Sequence, residues 1–258
     1  MEERYVTVTC ENIDREHMCC AISDKKHQMG VELKKHWLKE RIPEGHVFRK
    51  LDARGKVFIE YTPLETAWVP IVGQNYLYIH CFWVSGSYAG RGHGTALLDS
   101  CIEDAKEQHK SGICILSSTT KKPFLSDKAF LLGHGFEVVD RAGDGYELLA
   151  RSFDGSLPRF TDGAKSMQIA SPELTIYYSA QCPYITFCID EVQAYCKQES
   201  IALHLIKVET LQQAKELPCV FNNYAVFYHK HFLTLQLLNS KSLQKLLEAN
   251  RGKDDHGR

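Results

Sequence analysis

Residues 76–98 constrain this chain more than any other stretch. Tyr76 to Val84 are mostly aromatic or β-branched, a composition that suits a central strand covered on both faces. Gly86, Gly90, Gly92 and Gly94 follow, and from Thr95 the apolar residues take helical spacing. A glycine-rich turn entering a helix is a ready cradle for phosphate. Its amides point outward, the missing side chains allow close approach, and the helix dipole favours an anion. A plain flexible loop would have the same glycines, so on this stretch alone both readings stand.

The rest of the composition narrows the class. At 258 residues the chain exceeds the usual single-domain size of roughly 100–200, which predicts two domains. Hydrophobic residues make up 44% and charged ones 24%, enough to fill two modest cores. Lysine and arginine total 31 against 32 acids, a balance that gives no footprint for nucleic acid or an anionic membrane. No apolar run approaches the ~20 residues of a membrane span. The charged start from Met1 to Tyr5 has no signal-peptide core behind it. Ten cysteines then read as free thiols of a cytoplasmic protein, most of them small buried hydrophobes.

Read in order, the first two thirds alternate strands and helices. Tyr5 to Thr9 alternates as a strand, and a helical stretch containing Cys19 and Cys20 is expected after Asn12. A second helix is expected over about 28–41, with Leu33, Trp37 and Leu38 as its buried stripe, ended by Pro43 and Gly45. Residues 47–51 and 56–61 read as a hairpin turning at 53–55. Beyond the glycine loop, Leu97, Leu98, Cys101, Ile102 and Ala105 share one helical face. Ile113 to Leu116 is a short strand, Ser126-Asp127 precedes a further helix, and residues 136–139 and 146–150 supply two more strands about a turn at 143–145.

With these motifs in order, the chain resembles the GNAT family of N-acetyltransferases. That family's signature, [Q/R]-x-x-G-x-[G/A], holds the coenzyme A pyrophosphate between a strand and a helix. Ala89-Gly90-Arg91-Gly92-His93-Gly94 falls into its register, followed by Thr95-Ala96-Leu97-Leu98. The stretch from Ala129 to Glu137 resembles the second motif, a helix ending in Gly-Phe before a strand. The resemblance implies a mixed β-sheet flanked by helices over residues 1–152, and acetyl-CoA as co-substrate. It implies cofactor contacts from Phe82, Trp83 and Val84, from Ala89, Gly90, Arg91, Gly92, His93, Gly94 and Thr95, and from Asp127. No metal is implied.

Two positions depart from the family. Ala89 stands where glutamine or arginine is usual, and Arg91 is placed to compensate. Leu131 stands four residues before Gly135, where the family often has a tyrosine as general acid, a role typically worth roughly 10²–10⁴-fold. A thiol titrates near ~8.5, so the thiolate can leave without that acid. His80 is the candidate base, because the family often takes one from this strand and histidine titrates near ~6.5; a satisfied core histidine is the other reading. His93 is expected to stand beside the phosphates without chemistry. Ser117 and Ser118 either line the acceptor pocket or end their strand.

Residues 153–171, with glycine, proline and hydroxyl residues and little periodicity, read as a linker. The pattern then restarts over 172–250 in the order βαβαββα, which is thioredoxin-like, and residues 251–258 form a charged tail expected to be disordered. Cys182-Pro183-Tyr184 resembles a thioredoxin-like active-site start, and a cysteine at a helix N-terminus can be a lowered-pKa nucleophile. Three places on stands Ile185 rather than a second cysteine. Cys188 is six residues along, a rise of ~9 Å on the wrong face, beyond the ~4.4–6.8 Å reach of a disulfide. Adjacent Cys19 and Cys20, with Cys10 and His17, lack the spacing of a zinc knuckle.

A GNAT domain followed by a degenerate thioredoxin-like domain is similar to bacterial YoaP-type acetyltransferases. Phe82 to Gly86, Lys121 to Asp127 and the Cys182 start carry that likeness. The expected function is transfer of an acetyl group from acetyl-CoA to an amine-bearing acceptor, small molecule or peptide, and a homodimer is compatible with it. Two other classes remain open at this point: a non-catalytic acyl-CoA-binding or regulatory protein, consistent with Ala89 and Leu131, and a thiol-dependent redox protein using Cys182.

Overall fold

The computed structural model describes residues 4–18, 21, 25–122, 124–143 and 145–250. The elements of the first part are β1 (Tyr5–Thr7), α1 (Gln28–Arg41), β2 (Val47–Leu51), β3 (Val57–Pro63), β4 (Ile71–Val72), β5 (Tyr76–Val84), α2 (His93–Glu107), β6 (Gly112–Ser118), α3 (Lys128–Gly133), β7 (Glu137–Ala142) and β8 (Tyr146–Ser152). Seven of the strands form one sheet in the order β1-β2-β3-β5-β6-β8-β7. Every neighbouring pair is antiparallel except β5 and β6, which run parallel. That single parallel pair follows from the α2 crossover, because parallel neighbours need a long connection.

The two faces of the sheet bury different sets. Leu97, Leu98, Cys101, Ile102 and Ala105 of α2 are buried against Ile59, Leu77, Ile79 and Ile115, as the helical spacing predicts. Each large aliphatic side chain in such a layer contributes about 1.5–3 kcal/mol. The opposite face carries Tyr76, Tyr78, Cys114 and Leu116.

The remaining elements are β9 (Arg159–Phe160), α4 (Asp162–Ser166), β10 (Leu174–Tyr178), α5 (Ile185–Gln198), β11 (Leu203–Lys207), α6 (Leu211–Lys215), β12 (Tyr224–Tyr228), β13 (His231–Thr234) and α7 (Ser240–Asn250). Their sheet order is β11-β10-β12-β13, with β10 parallel to β11 and antiparallel to β12. This is the thioredoxin-like arrangement expected from the βαβαββα order. One face, with Ile176, Tyr224 and Val226, packs on α5 and α7. The other, with Ala225 and Phe227, shares a core with Trp37, Phe48, Phe58 and Trp68 of the first part. The second sheet is thus roofed onto the first, over the face opposite α2.

Three expectations need correction. Residues 153–171 are a packed seam rather than a linker: β9 pairs with β4, and Phe160 and Ala164 are wholly buried. Residues 10–16 form turns rather than the start of a helix, because Asn12 accepts from the Thr9 amide at 2.8 Å and draws the chain into a local turn; Cys19 and Cys20 lie outside the described residues. In α1, Leu33 is exposed, and the buried stripe is Gly30, Lys34, Trp37 and Leu38. Pro123, Asp144 and the tail 251–258 also lie outside the described residues.

Candidate active site

β5 carries the site because it stops matching both of its neighbours halfway along. On the β3 side, Cys81 pairs with Glu60 and Ile79 with Tyr61, so His80 is an extra residue bulged out of the ladder. A bulge shifts the alternation of side chains by one. Before it, Leu77 and Ile79 face α2; after it, Phe82 does. On the β6 side, pairing runs only from Tyr76–Gly112 to Ile79–Ile115. Beyond that point β6 continues with β8 as far as Ser118, while β5 continues with β3 as far as Val84. The two parallel strands therefore part, and the β5 backbone beyond Ile79 faces a gap.

The direction of its amides can be assigned. The Ser85 N–H donates to Lys56 O at 3.1 Å, so by the two-residue repeat of a strand Phe82 and Val84 turn their N–H and C=O groups into the gap. Consistent with this, Ser126 Oγ donates to Phe82 O at 3.4 Å from across it. Two backbone donors spaced about 6–7 Å along one gap suit successive carbonyls of an extended acyl arm, each polarised by its own N–H.

The glycine loop lies at the end of the same strand. Gly90 and Gly92 have φ of 74° and 84°, a region L residues rarely occupy, and Gly92 is the N-cap of α2. A Cβ on either would meet no protein atom within 4 Å. Their conformation rather than crowding requires glycine, and the space above them is open to a ligand. The first turn of α2 contains no acid, and its leading amides lack intrahelical partners. Gly94 is constrained differently: a Cβ there would stand 3.3 Å from the Phe130 ring. These residues fit the pyrophosphate of acetyl-CoA. Ala89, Arg91 and Thr95 are exposed around them.

Other expected site residues have structural partners. His93 is buried, with Nδ1 2.8 Å from Tyr5 Oη. Asp127 caps α3, its carboxylate accepting from the Phe130 amide at 2.9 Å. Leu131 is fully buried in the α2-side core, so no acid stands there. Ser118 donates to Thr120 O at 2.6 Å, and Ser117 is buried at the end of β6. Neither serine lines the cavities found on this face.

His80 is 5% exposed and stacks on His46 at 5.3 Å. Burial, then the charge of His46, pushes its pKa well below the usual 6.5. Neither ring nitrogen has a hydrogen-bond partner among the described residues. Beside it lies a buried cluster that the periodicity did not reveal. Lys34 Nζ stands 2.7 Å from Glu60 Oε2, His46 Nε2 stands 3.0 Å from Glu60 Oε1, and Gln181 of the second sheet donates to Glu60 Oε1 at 3.3 Å. Lys34 at apolar spacing from Leu38 was the one signal for it.

On the roofed face a cavity of about 150 Å³ opens at the end of β5. Cys81 and Trp83 line it from β5, Phe124 and Leu125 from the loop before α3, and Cys182 and Tyr184 from the second sheet. Lys56 Nζ donates to Tyr184 Oη at 3.3 Å. The Cys182-Pro183-Tyr184 loop is therefore docked against the first sheet. Neither Cys182 nor Cys81 is in a disulfide, and Cys188 is half-buried, its thiol pushed up to about 11 by burial. Among the described residues no group of His, Cys, Asp and Glu could hold a metal, and no helix is long and apolar enough to cross a membrane.

A parallel strand pair that parts beside a glycine-rich helix entry brings unpaired backbone amides and an anion-favouring helix start to one edge of the sheet. Residues 11–136 match the Acetyltransferase (GNAT) family and residues 202–245 match the YoaP-like family. Over 95% of its length the chain is 38% identical to the uncharacterized N-acetyltransferase YoaP of Bacillus subtilis (strain 168), covering 98% of that protein. The chain belongs to the acetyltransferase (GNAT) family, with a YoaP-like C-terminal part, and acetyl-CoA is its co-substrate. Among solved structures, the PaiA N-acetyltransferase of Thermoplasma acidophilum in complex with coenzyme A aligns at 15% identity and a TM-score of 0.41, over 59% of this chain and 100% of that one. The ribosomal-protein-alanine N-acetyltransferase of Brucella melitensis aligns at 16% identity and a TM-score of 0.41, over 58% and 99%.

Proposed function

We propose that this N-acetyltransferase takes its amine acceptor from the roofed face, through the pocket between β5 and the Cys182-Pro183-Tyr184 loop. The observation that carries this reading is the parting of β5 from β6 after Ile79, with the glycine loop at one end of the gap and the pocket beside it. In this reading Gly90, Gly92 and the first amides of α2 hold the pyrophosphate. One of the Phe82 and Val84 N–H groups polarises the thioester carbonyl, a contact worth about 2.7–4 kcal/mol, and the other, about 6–7 Å along the strand, holds the pantetheine arm. The pocket walls, Trp83 and Tyr184 among them, hold the amine and keep water from the thioester.

His80 takes the proton released as the amide forms. Its imidazole is neutral because burial disfavours the charged form, so it is available as a base. It does not line the pocket; its neighbour Cys81 does. The proton therefore reaches it through an intervening water or polar group. The thiolate of coenzyme A leaves unaided by any side chain at 131.

Replacing His80 by glutamine tests this role. Loss of a general base predicts a fall in kcat of roughly 10²–10⁴ together with loss of the ascending limb of the pH–rate profile. A smaller fall with an unchanged profile would make His80 a structural residue of the bulge.

A further inference from the structure

We propose that the acceptor carries an anionic group, a carboxylate or phosphate, besides its amine, and that a basic cleft beside the amine pocket reads that group. This rests on the acceptor path proposed above. The cleft measures about 950 Å³, far larger than the amine pocket, and lies between the far ends of β6 and β8 and the β12–β13 hairpin. Leu125 and Leu235 line both spaces, so the cleft and the pocket adjoin across two apolar side chains. A ligand body seated in the cleft can pass an amine across them toward Trp83.

Among the described residues the charge lining the cleft is one-sided. Lys121, Lys122, Lys165, His229 and His231 line it, and no aspartate or glutamate does among the described residues. Lys165 is engaged by Asp140 at 2.8 Å. Lys121 and Lys122 have no carboxylate partner among the described residues, and Lys122 lies 4.9 Å from the centre of the Tyr146 ring, held against the cleft wall. Two cations facing a concave, partly desolvated space focus a positive potential there.

That potential has two consequences for the reaction. It attracts a carboxylate or phosphate on the acceptor body, and it repels polyamines and other cationic bodies. It also favours the uncharged form of a nearby amine, because a neighbouring positive charge lowers an ammonium pKa. The neutral amine is the nucleophile this transfer needs. Binding and activation thus come from the same lysines.

The test uses the full chain, acetyl-CoA and matched acceptors: glycyl-L-glutamate and O-phospho-L-serine against glycyl-L-glutamine amide and L-serine amide. The anionic pair is expected to be turned over with a kcat/KM about tenfold or more above the neutral pair, a preference eroded by salt. Lys121→Glu combined with Lys122→Glu should lower turnover of the anionic pair far more than that of the neutral pair, so that the preference disappears, while leaving the KM for acetyl-CoA unchanged. Equal turnover of the two pairs, better turnover of a polyamine such as spermidine, or a raised KM for acetyl-CoA in the double variant would overturn the proposal. Calorimetric titration of O-phospho-L-serine into the chain saturated with coenzyme A keeps the two readings apart. Binding that the double variant loses supports the anionic cleft even if no acceptor releases thiol, an outcome that counts against the acceptor path alone. Absence of binding to the wild-type chain would overturn the cleft.

Discussion

Gln181, in the loop after β10, donates its side-chain amide to Glu60 of β3 at 3.3 Å. Through that bond the second sheet completes a polar cluster inside the first. Glu60 and Lys34 are each no more than 2% exposed, so the pair exists only because its remaining lone pairs are met by His46 and Gln181. Lys215 of α6 makes a second tie, donating to the carbonyls of Leu64 and Ile71 at 2.7 and 3.1 Å. The second sheet is packed into the first rather than appended to it.

Glu60→Gln keeps the shape of the side chain and leaves the Lys34 ammonium buried without a counter-charge. A broken buried pair costs about 3–5 kcal/mol, so denaturant unfolding should show a loss of that order. Lys34→Met combined with Glu60→Leu should recover part of it. A single variant as stable as wild type would show that Lys34 is not held in the charged state.

Acid should weaken the fold in two steps. Burial would raise the Glu60 carboxyl, but Lys34 and His46 outweigh it and hold the group well below the carboxylate range. Its contribution is complete above the unfolded value of about 4.3 and is lost as pH falls below that. His80 is also depressed: the unfolded chain binds a proton on it near pH ~6.5 and the folded chain does not, so stability already falls as pH drops below about 6.5. His80→Asn should flatten the slope between about pH 6.5 and 5 and leave the steeper loss at lower pH. Urea midpoints at stepped pH values measure both; an unchanged upper slope in the variant would contradict the burial of a neutral His80.

Gly30 sits inside α1, where alanine would normally gain about 0.8–1 kcal/mol. Here a Cβ would lie 1.9 Å from the Pro183 carbonyl oxygen. Gly30→Ala should therefore destabilise rather than stabilise, by about 1–3 kcal/mol, and should loosen the Cys182-Pro183-Tyr184 loop. Hydrogen exchange at residues 181–185 checks the site of the effect. A rise in melting temperature would mean that the two parts are not packed through this helix.

Gly92→Ala forces a left-handed conformation on an L residue at a cost of about 1 kcal/mol, with no clash inside the protein. The melting temperature should fall by a few degrees, while the KM for acetyl-CoA rises by roughly tenfold or more as the amides turn from the pyrophosphate. Gly133→Ala, where a Cβ also meets nothing within 4 Å and no positive φ is required, is the control. Equal effects of the two substitutions on acetyl-CoA would remove the loop from donor binding.

What the sequence discloses here is what is local. The strand over 76–84, the glycine entry to α2 and the buried face of that helix follow from residue type and spacing, and the structure reproduces them. The second sheet's order is legible too, because each of its elements has its own apolar run. The bulge at His80 is invisible in the sequence, since it exists only against the register of β3. The seam over 153–171 looks like a linker because Phe160 is buried by partners far away in the chain. Lys34 and Leu33 exchange their expected places for the same reason: a charged side chain goes inside where Glu60, His46 and Gln181 converge. The basic cleft joins residues from 120 to 250, which no local stretch of sequence brings together.

Product analysis decides whether the chain transfers acetyl groups to nitrogen. The full chain is incubated with acetyl-CoA and a mixed pool of small amines and peptides, and the pool is read by mass spectrometry alongside the release of free coenzyme A thiol. At least one acceptor should gain a single acetyl group on nitrogen, in step with thiol release, and Gly92→Ala should slow this by roughly tenfold or more at limiting acetyl-CoA. Thermal stabilisation by acetyl-CoA with no acetylated product from any acceptor would contradict it and leave a chain that binds the donor without transferring it.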